Sequence, residues 1–120
     1  MKILIVDDSA VMRKIVMKAV RQAGFGGHKF IEAASGKEGL EQLDKESPEL
    51  VLCDWNMPEM TGIEMLDVLR GAGNEIPFCF VTSEATAPMR KQATDSGANG
   101  FLTKPFTSDD LERALGAFLS

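Results

Sequence analysis

The sequence predicts an α/β fold, (βα)₅, with a doubly wound, five-stranded parallel sheet. Three observations predict it. Short apolar runs alternate with segments of helical periodicity along the whole chain. Ser or Thr stands where most of the helical segments begin, as an N-cap requires. Carboxylates, hydroxyls and one lysine follow the apolar runs directly. Regular alternation of strand and helix implies parallel pairing, right-handed crossovers and helices on both faces of the sheet.

Ile3 to Val6 is the first strand. Ser9 caps a helix in which Met12, Ile15, Val16 and Ala19 recur at helical spacing, and Gly24 stops it. Lys29 to Ala33 forms the second strand. Ser35 and Glu38 make a capping box before a helix carrying Leu40 and Leu43, which ends ahead of Pro48. Leu50 to Asp54 is the third strand. Thr61 and Glu64 make a second capping box, and Ile63, Met65, Leu66 and Leu69 form the apolar face that follows. Pro77 to Thr82 is the fourth strand. The fourth helix runs from Pro88 to Ser96, with Gly97 beyond it. Gly100 to Thr103 is the fifth strand. Thr107 or Ser108 caps the last helix, which buries Leu111, Leu115 and Phe118.

The 120 residues suffice for one domain, residues 1–120, with a real core. A net charge of −5 argues against direct binding of nucleic acid. No apolar run approaches the roughly 18 residues of a membrane span. The start, MKILIVDDS, is not a signal peptide, so the expected location is the cytoplasm, without membrane insertion. Cys53 and Cys79 lie inside apolar runs and read as buried, reduced and inert. His28 stands among glycines and reads as a loop residue.

Ligand sites in sheets of this kind lie outside the carboxyl ends of the strands. There the sequence places Asp7-Asp8, Asp54, Thr82-Ser83 and Lys104-Pro105. Three neighbouring carboxylates repel one another and call for a positive charge among them. Hard oxygen donors suit Mg²⁺, and Lys104 adds a second positive charge. Metal, lysine and hydroxyl together suit a transferring phosphoryl group, and an Asp carboxylate can be its acceptor.

In IVDDS, DWNMPEMTG, FVTSE and GANGFLTKPF, occurring in that order, the chain resembles the receiver domains of two-component response regulators. Its pattern is nearest to the single-domain chemotaxis regulators. The resemblance covers the whole chain and implies the flavodoxin-like strand order 2-1-3-4-5. It implies that Asp54 accepts the phosphoryl group, that Asp8 holds Mg²⁺ directly and Asp7 through water, and that the Asn56 backbone carbonyl completes the metal shell. Thr82 would bind the phosphoryl group and move, Lys104 would bind a phosphoryl oxygen, and the Lys104–Pro105 bond would be cis. Phe101 matches the aromatic switch position, where the chemotaxis proteins carry Tyr; this chain has no Tyr at all. Asn56 and Glu84 match the positions that tune loss of the phosphoryl group.

The expected function is a phosphorylation-activated switch of a two-component system. A histidine kinase is the donor. A downstream effector reads the face of helix four, strand five and helix five, and the chain acts as a monomer. One rival is a Mg²⁺-dependent phosphatase with an Asp nucleophile, which wants an acid/base Asp where Asn56 stands. Another is a flavin-binding electron carrier, for which the acidic VDDSA loop is unsuited to phosphate. A third is a receiver excised from a larger transcriptional regulator.

Overall fold

The computed structural model describes residues 2–25, 27–104 and 106–116. Its elements are β1 (Lys2–Val6), α1 (Ala10–Val20), β2 (Lys29–Ala33), α2 (Gly36–Glu46), β3 (Leu50–Cys53), α3 (Gly62–Gly71), β4 (Phe78–Thr82), α4 (Ala87–Asp95), β5 (Gly100–Thr103) and α5 (Ser108–Leu115). The strands form one parallel sheet in the order β2-β1-β3-β4-β5, as expected.

Side chains alternate across a strand, so each strand feeds two cores. Leu4, Val6, Val51, Cys53, Phe78 and Phe80 share one core with Ile63, Met65, Leu66 and Leu69 of α3. Ile3, Ile5, Leu50, Leu52, Cys79 and Val81 pack on the other side with Val16 and Val20 of α1 and Leu111 and Leu115 of α5. β3 and β4 are buried along their whole length, which fits their uninterrupted apolar sequence.

Helix ends follow their caps. Thr61 and Glu64 form the complete capping box of α3. Ser35 Oγ accepts from Glu38 N, but among the described residues the reciprocal bond of a box is absent. Thr107, not Ser108, caps α5, and Asp110 completes a box with it that the sequence reading did not anticipate. Thr86 caps α4, so that helix begins at Ala87, with Pro88 in its first turn.

α1 departs from the expected stripe. Val16 and Val20 are its buried residues, whereas Ile15 is 48% exposed. Val11, Met12, Ile15, Val16, Met17, Ala19 and Val20 surround much of this helix with apolar groups. Periodicity therefore admits two phases, and packing on the sheet selects the one containing Val20. The helix passes into a wider turn, Arg21–Phe25, where Gly24 takes φ +99°, a conformation costly for any residue with a Cβ. The cis Lys104–Pro105 bond and the burial of Phe118 fall outside the described residues.

Candidate functional site

Register brings the acidic residues together. Val6 pairs with Cys53 across β1 and β3, so Asp7 and Asp54, the next residues, leave the sheet at one level. Thr82 pairs with Thr103 across β4 and β5, which sets Lys104 just beyond. The backbone continues the ladder past the strand ends: Asp54 N donates to Val6 O, Asp7 N to Ala33 O and Lys104 N to Thr82 O.

Carboxylate oxygens of Asp7, Asp8 and Asp54 lie within 4.8 Å of one another. Asp7 is the buried member at 4% exposure, Asp54 is half-buried and Asp8 is exposed. Lys104 Nζ reaches both inner carboxylates, 3.2 Å from Asp7 Oδ2 and 3.8 Å from Asp54 Oδ2. The remaining inner oxygens are held by backbone donors. Ser9 N donates to Asp7 Oδ1 at 2.9 Å, and Trp55 N donates to Asp54 Oδ1 at 2.8 Å. Asp7 and Asp54 thus each have one oxygen fixed by the backbone and one beside Lys104.

Burial pushes the Asp54 carboxyl above its ordinary value. Lys104 and the Trp55 N–H act against this, while Asp7 and Asp8 add to it. One ammonium among three carboxylates leaves an excess of negative charge. The donor set is three hard carboxylate oxygens, one of them exposed and so open to a hydrated ion. It fits Mg²⁺ in donor type.

Thr82 is fully buried, and its hydroxyl accepts from Glu84 N at 3.3 Å. Phe101 is partly buried, its ring centroid 6.0 Å from Phe80 and 6.3 Å from Trp55. Asn56 and Glu84 are both exposed, on the loops that leave β3 and β4. Ser83 is exposed beside Thr82. Cys53 and Cys79 are free and fully buried, as expected; burial raises the Cys53 thiol well above its ordinary value and pushes Cys79 up to about 12.

Three supporting residues escaped the sequence reading. Arg13 Nη1 donates to the Asp7 carbonyl and its Nε pairs with Glu32, locking α1 to the mouth of the site. Nothing local in the sequence marks that role. Ser9 was legible only as a helix cap, yet its N–H also orients Asp7. Gly62 was legible only as the residue after a cap. A Cβ there would lie 2.2 Å from the Asp54 carbonyl oxygen, so the start of α3 packs directly on the backbone that carries the Asp54 carboxylate.

Fold and site together define an acidic, lysine-bearing centre at the carboxyl edge of a doubly wound sheet. The sequence profile of the response regulator receiver domain matches residues 3–116, and the chain belongs to that family. It is therefore a phosphorylation-activated switch domain of the two-component type. The chain is 39% identical over 117 residues to chemotaxis protein CheY-3 of Vibrio cholerae, covering 96% of this chain and 88% of that protein. It is 38% identical over 117 residues to chemotaxis protein CheY of Pseudomonas aeruginosa, covering 96% and 93%. Among solved structures, chemotaxis protein CheY4 of Vibrio cholerae superposes with a TM-score of 0.85 at 32% identity, over 98% of each chain. A receiver domain protein from Clostridium thermocellum superposes at 0.83 over 97% of this chain and 91% of its own, with 24% identity, which bears on the fold alone. Among the described residues no helix is long and apolar enough to cross a membrane.

Proposed function

We propose that the chain, acting over residues 1–120 as one receiver unit, takes a phosphoryl group from a histidine kinase onto Asp54 and passes the signal to a protein effector. The observation that carries this reading is the double contact of Lys104 Nζ with Asp7 and Asp54. Of the two carboxylates beside Lys104, Asp7 is buried and Asp54 only half-buried, so Asp54 is the one an incoming phosphodonor can reach with positive charge next to it. Trp55 N–H holds the other Asp54 oxygen and fixes the attacking rotamer.

Asp7, Asp8 and Asp54, with the Asn56 carbonyl, would hold Mg²⁺, which when bound neutralises charge on the phosphoryl oxygens. Lys104 contributes the second positive charge and binds a phosphoryl oxygen. The new group, carrying about −1.5 to −2 charges, draws the Thr82 hydroxyl from its Glu84 N–H partner. Phe101 then moves toward the space beside Thr82. The shift is between two packings, and its extent is limited by how much better the phosphorylated site fits one of them. The surface of α4, β5 and α5 is what the effector reads. The likeness to chemotaxis regulators supports a short-lived switch of chemotaxis type, acting as a monomer. Asn56 and Glu84 flank the path of the water that ends the signal.

Acetyl phosphate with Mg²⁺ should add one phosphoryl group, read by intact mass, and Asp54→Asn should take none. Stoichiometric labelling of Asp54→Asn would overturn the acceptor assignment. Mg²⁺ alone should change Trp55 fluorescence, and Asp8→Ala should blunt that change. Asn56→Met and Glu84→Lys should retain the phosphoryl group longer, by a factor of about ten, the scale of a positioning effect. Decay at the wild-type rate in both would remove the water-positioning role.

A further inference from the structure

Between α4, β5 and α5 lies a groove of about 470 Å³, lined by Arg90, Phe101, Leu102, Asp110, Arg113 and Ala114. The chain is acidic overall, yet this groove carries two guanidinium groups and one carboxylate. The carboxylate is taken: Asp110 pairs with Arg113 and also accepts from Thr107 N. Arg90 is different. Among the described residues it forms no ion pair with any carboxylate. Its Cζ instead lies 4.8 Å above the Phe101 ring, and its Nη2 donates to Thr103 Oγ1 at 3.1 Å. One exposed side chain on α4 therefore grips two residues of β5 and presents an uncompensated charge to the groove.

We infer that Arg90 couples the groove to the Phe101 switch: its guanidinium holds the ring in the position described, and a carboxylate of the protein effector takes the guanidinium and frees the ring. This rests on the effector face proposed above. The physical basis is competition for one cation. Stacking on an exposed aromatic face is worth a two- to fivefold bias in population. A charge-assisted bond to a carboxylate is stronger than a bond to a neutral hydroxyl such as that of Thr103. A partner that binds with Arg90 drawn away must favour the ring positions that Arg90 otherwise opposes. By linkage, ring positions reached on phosphorylation must then favour that partner to the same degree. Phe101, Leu102 and Ala114 line the groove beside the charged groups, so the occupant is an amphipathic segment that sets acidic residues against Arg90.

The ring can be followed without phosphorylation, by NMR of the full chain with ¹³C-labelled Phe. Arg90→Met keeps the length of the side chain and removes the charge; it should shift the Phe101 ring populations two- to fivefold, with Arg90→Lys in between. An unchanged Phe101 signal in Arg90→Met overturns the hold on the ring. A synthetic amphipathic peptide of Leu and Glu should bind the wild-type chain and move the same signal. Replacing its Glu by Gln, or using Arg90→Met, should abolish the movement. Absence of binding to the wild-type chain, or equal movement with the Gln peptide, overturns the reading of a carboxylate. Labelling of Asp54 by acetyl phosphate is measured separately, so loss of the phosphoacceptor reading and loss of the Arg90 coupling are told apart.

Discussion

Gly62→Ala tests whether the start of α3 is built onto the backbone of Asp54. The added Cβ would sit 2.2 Å from the Asp54 carbonyl oxygen and 2.9 Å from Phe80 Cε1. A comfortable C···O contact is about 3.3 Å, so the two must part by roughly 1 Å. Neither side gives easily. Asp54 N is bonded to Val6 O, and Gly62 N to Trp55 O. Thr61 is meanwhile held in its capping box. Overpacking of this kind costs about 1–3 kcal/mol, offset in part by the better helix propensity of Ala, worth up to about 1 kcal/mol. The expected net loss is about 1–2 kcal/mol, which for a domain of this size lowers Tm by roughly 4–10 °C. A 1 Å displacement of the Asp54 peptide also misplaces its carboxylate, and such errors cost about 100-fold in rate. Thermal unfolding and the initial rate of labelling by acetyl phosphate measure both effects. Gly71→Ala is the control: nothing lies within 4 Å of its Cβ, and it should stabilise by about 0.5–1 kcal/mol, with labelling unchanged. If Gly62→Ala keeps the wild-type Tm and labelling rate, the close approach of α3 to Asp54 does not govern the site.

Asp54 has a raised carboxyl pKa in the folded chain, so the folded state binds its proton more tightly than the unfolded state, whose value is near 3.8. Its contribution to stability must fall as pH rises from that value through the raised one; the urea midpoint of the wild type relative to that of Asp54→Asn should decline across that range, and a constant difference would refute it. Glu59 takes φ +68°, strained for a residue with a Cβ; Glu59→Gly should stabilise by about 0.5–1 kcal/mol after the entropy cost of glycine, and a loss in denaturant midpoint would refute the strain. Arg70 donates to Gly97 O, Asn74 O and Asn99 Oδ1, tying the end of α3 to the turn before β5; Arg70→Met should cost about 1–3 kcal/mol, read by urea unfolding, and an unchanged midpoint would show the tie to be idle.

Much of this protein was determined locally. The uninterrupted apolar run at Leu50–Cys53 reads as a buried strand, and that strand is covered on both faces. Thr61 and Glu64 marked the start of α3, because a capping box is made of neighbours in the chain. Asp7, Asp8, Asp54, Thr82 and Lys104 were legible as site candidates because each stands at or just past the carboxyl end of a strand, and those ends line one edge of a parallel sheet. Other features depend on groups far apart in sequence. The phase of α1 was ambiguous in a helix with apolar groups on most sides, and only packing on the sheet left Ile15 outside and Val20 within. The sequence shows an Asp pair but not that Asp7 is the buried one, gripped by a lysine 97 positions away. It shows an arginine on α4 but not that its charge rests on Phe101 of β5. Charge–charge and cation–π energies depend on separation in space and on burial, and both are set only when register and crossovers have brought the strand ends to one edge.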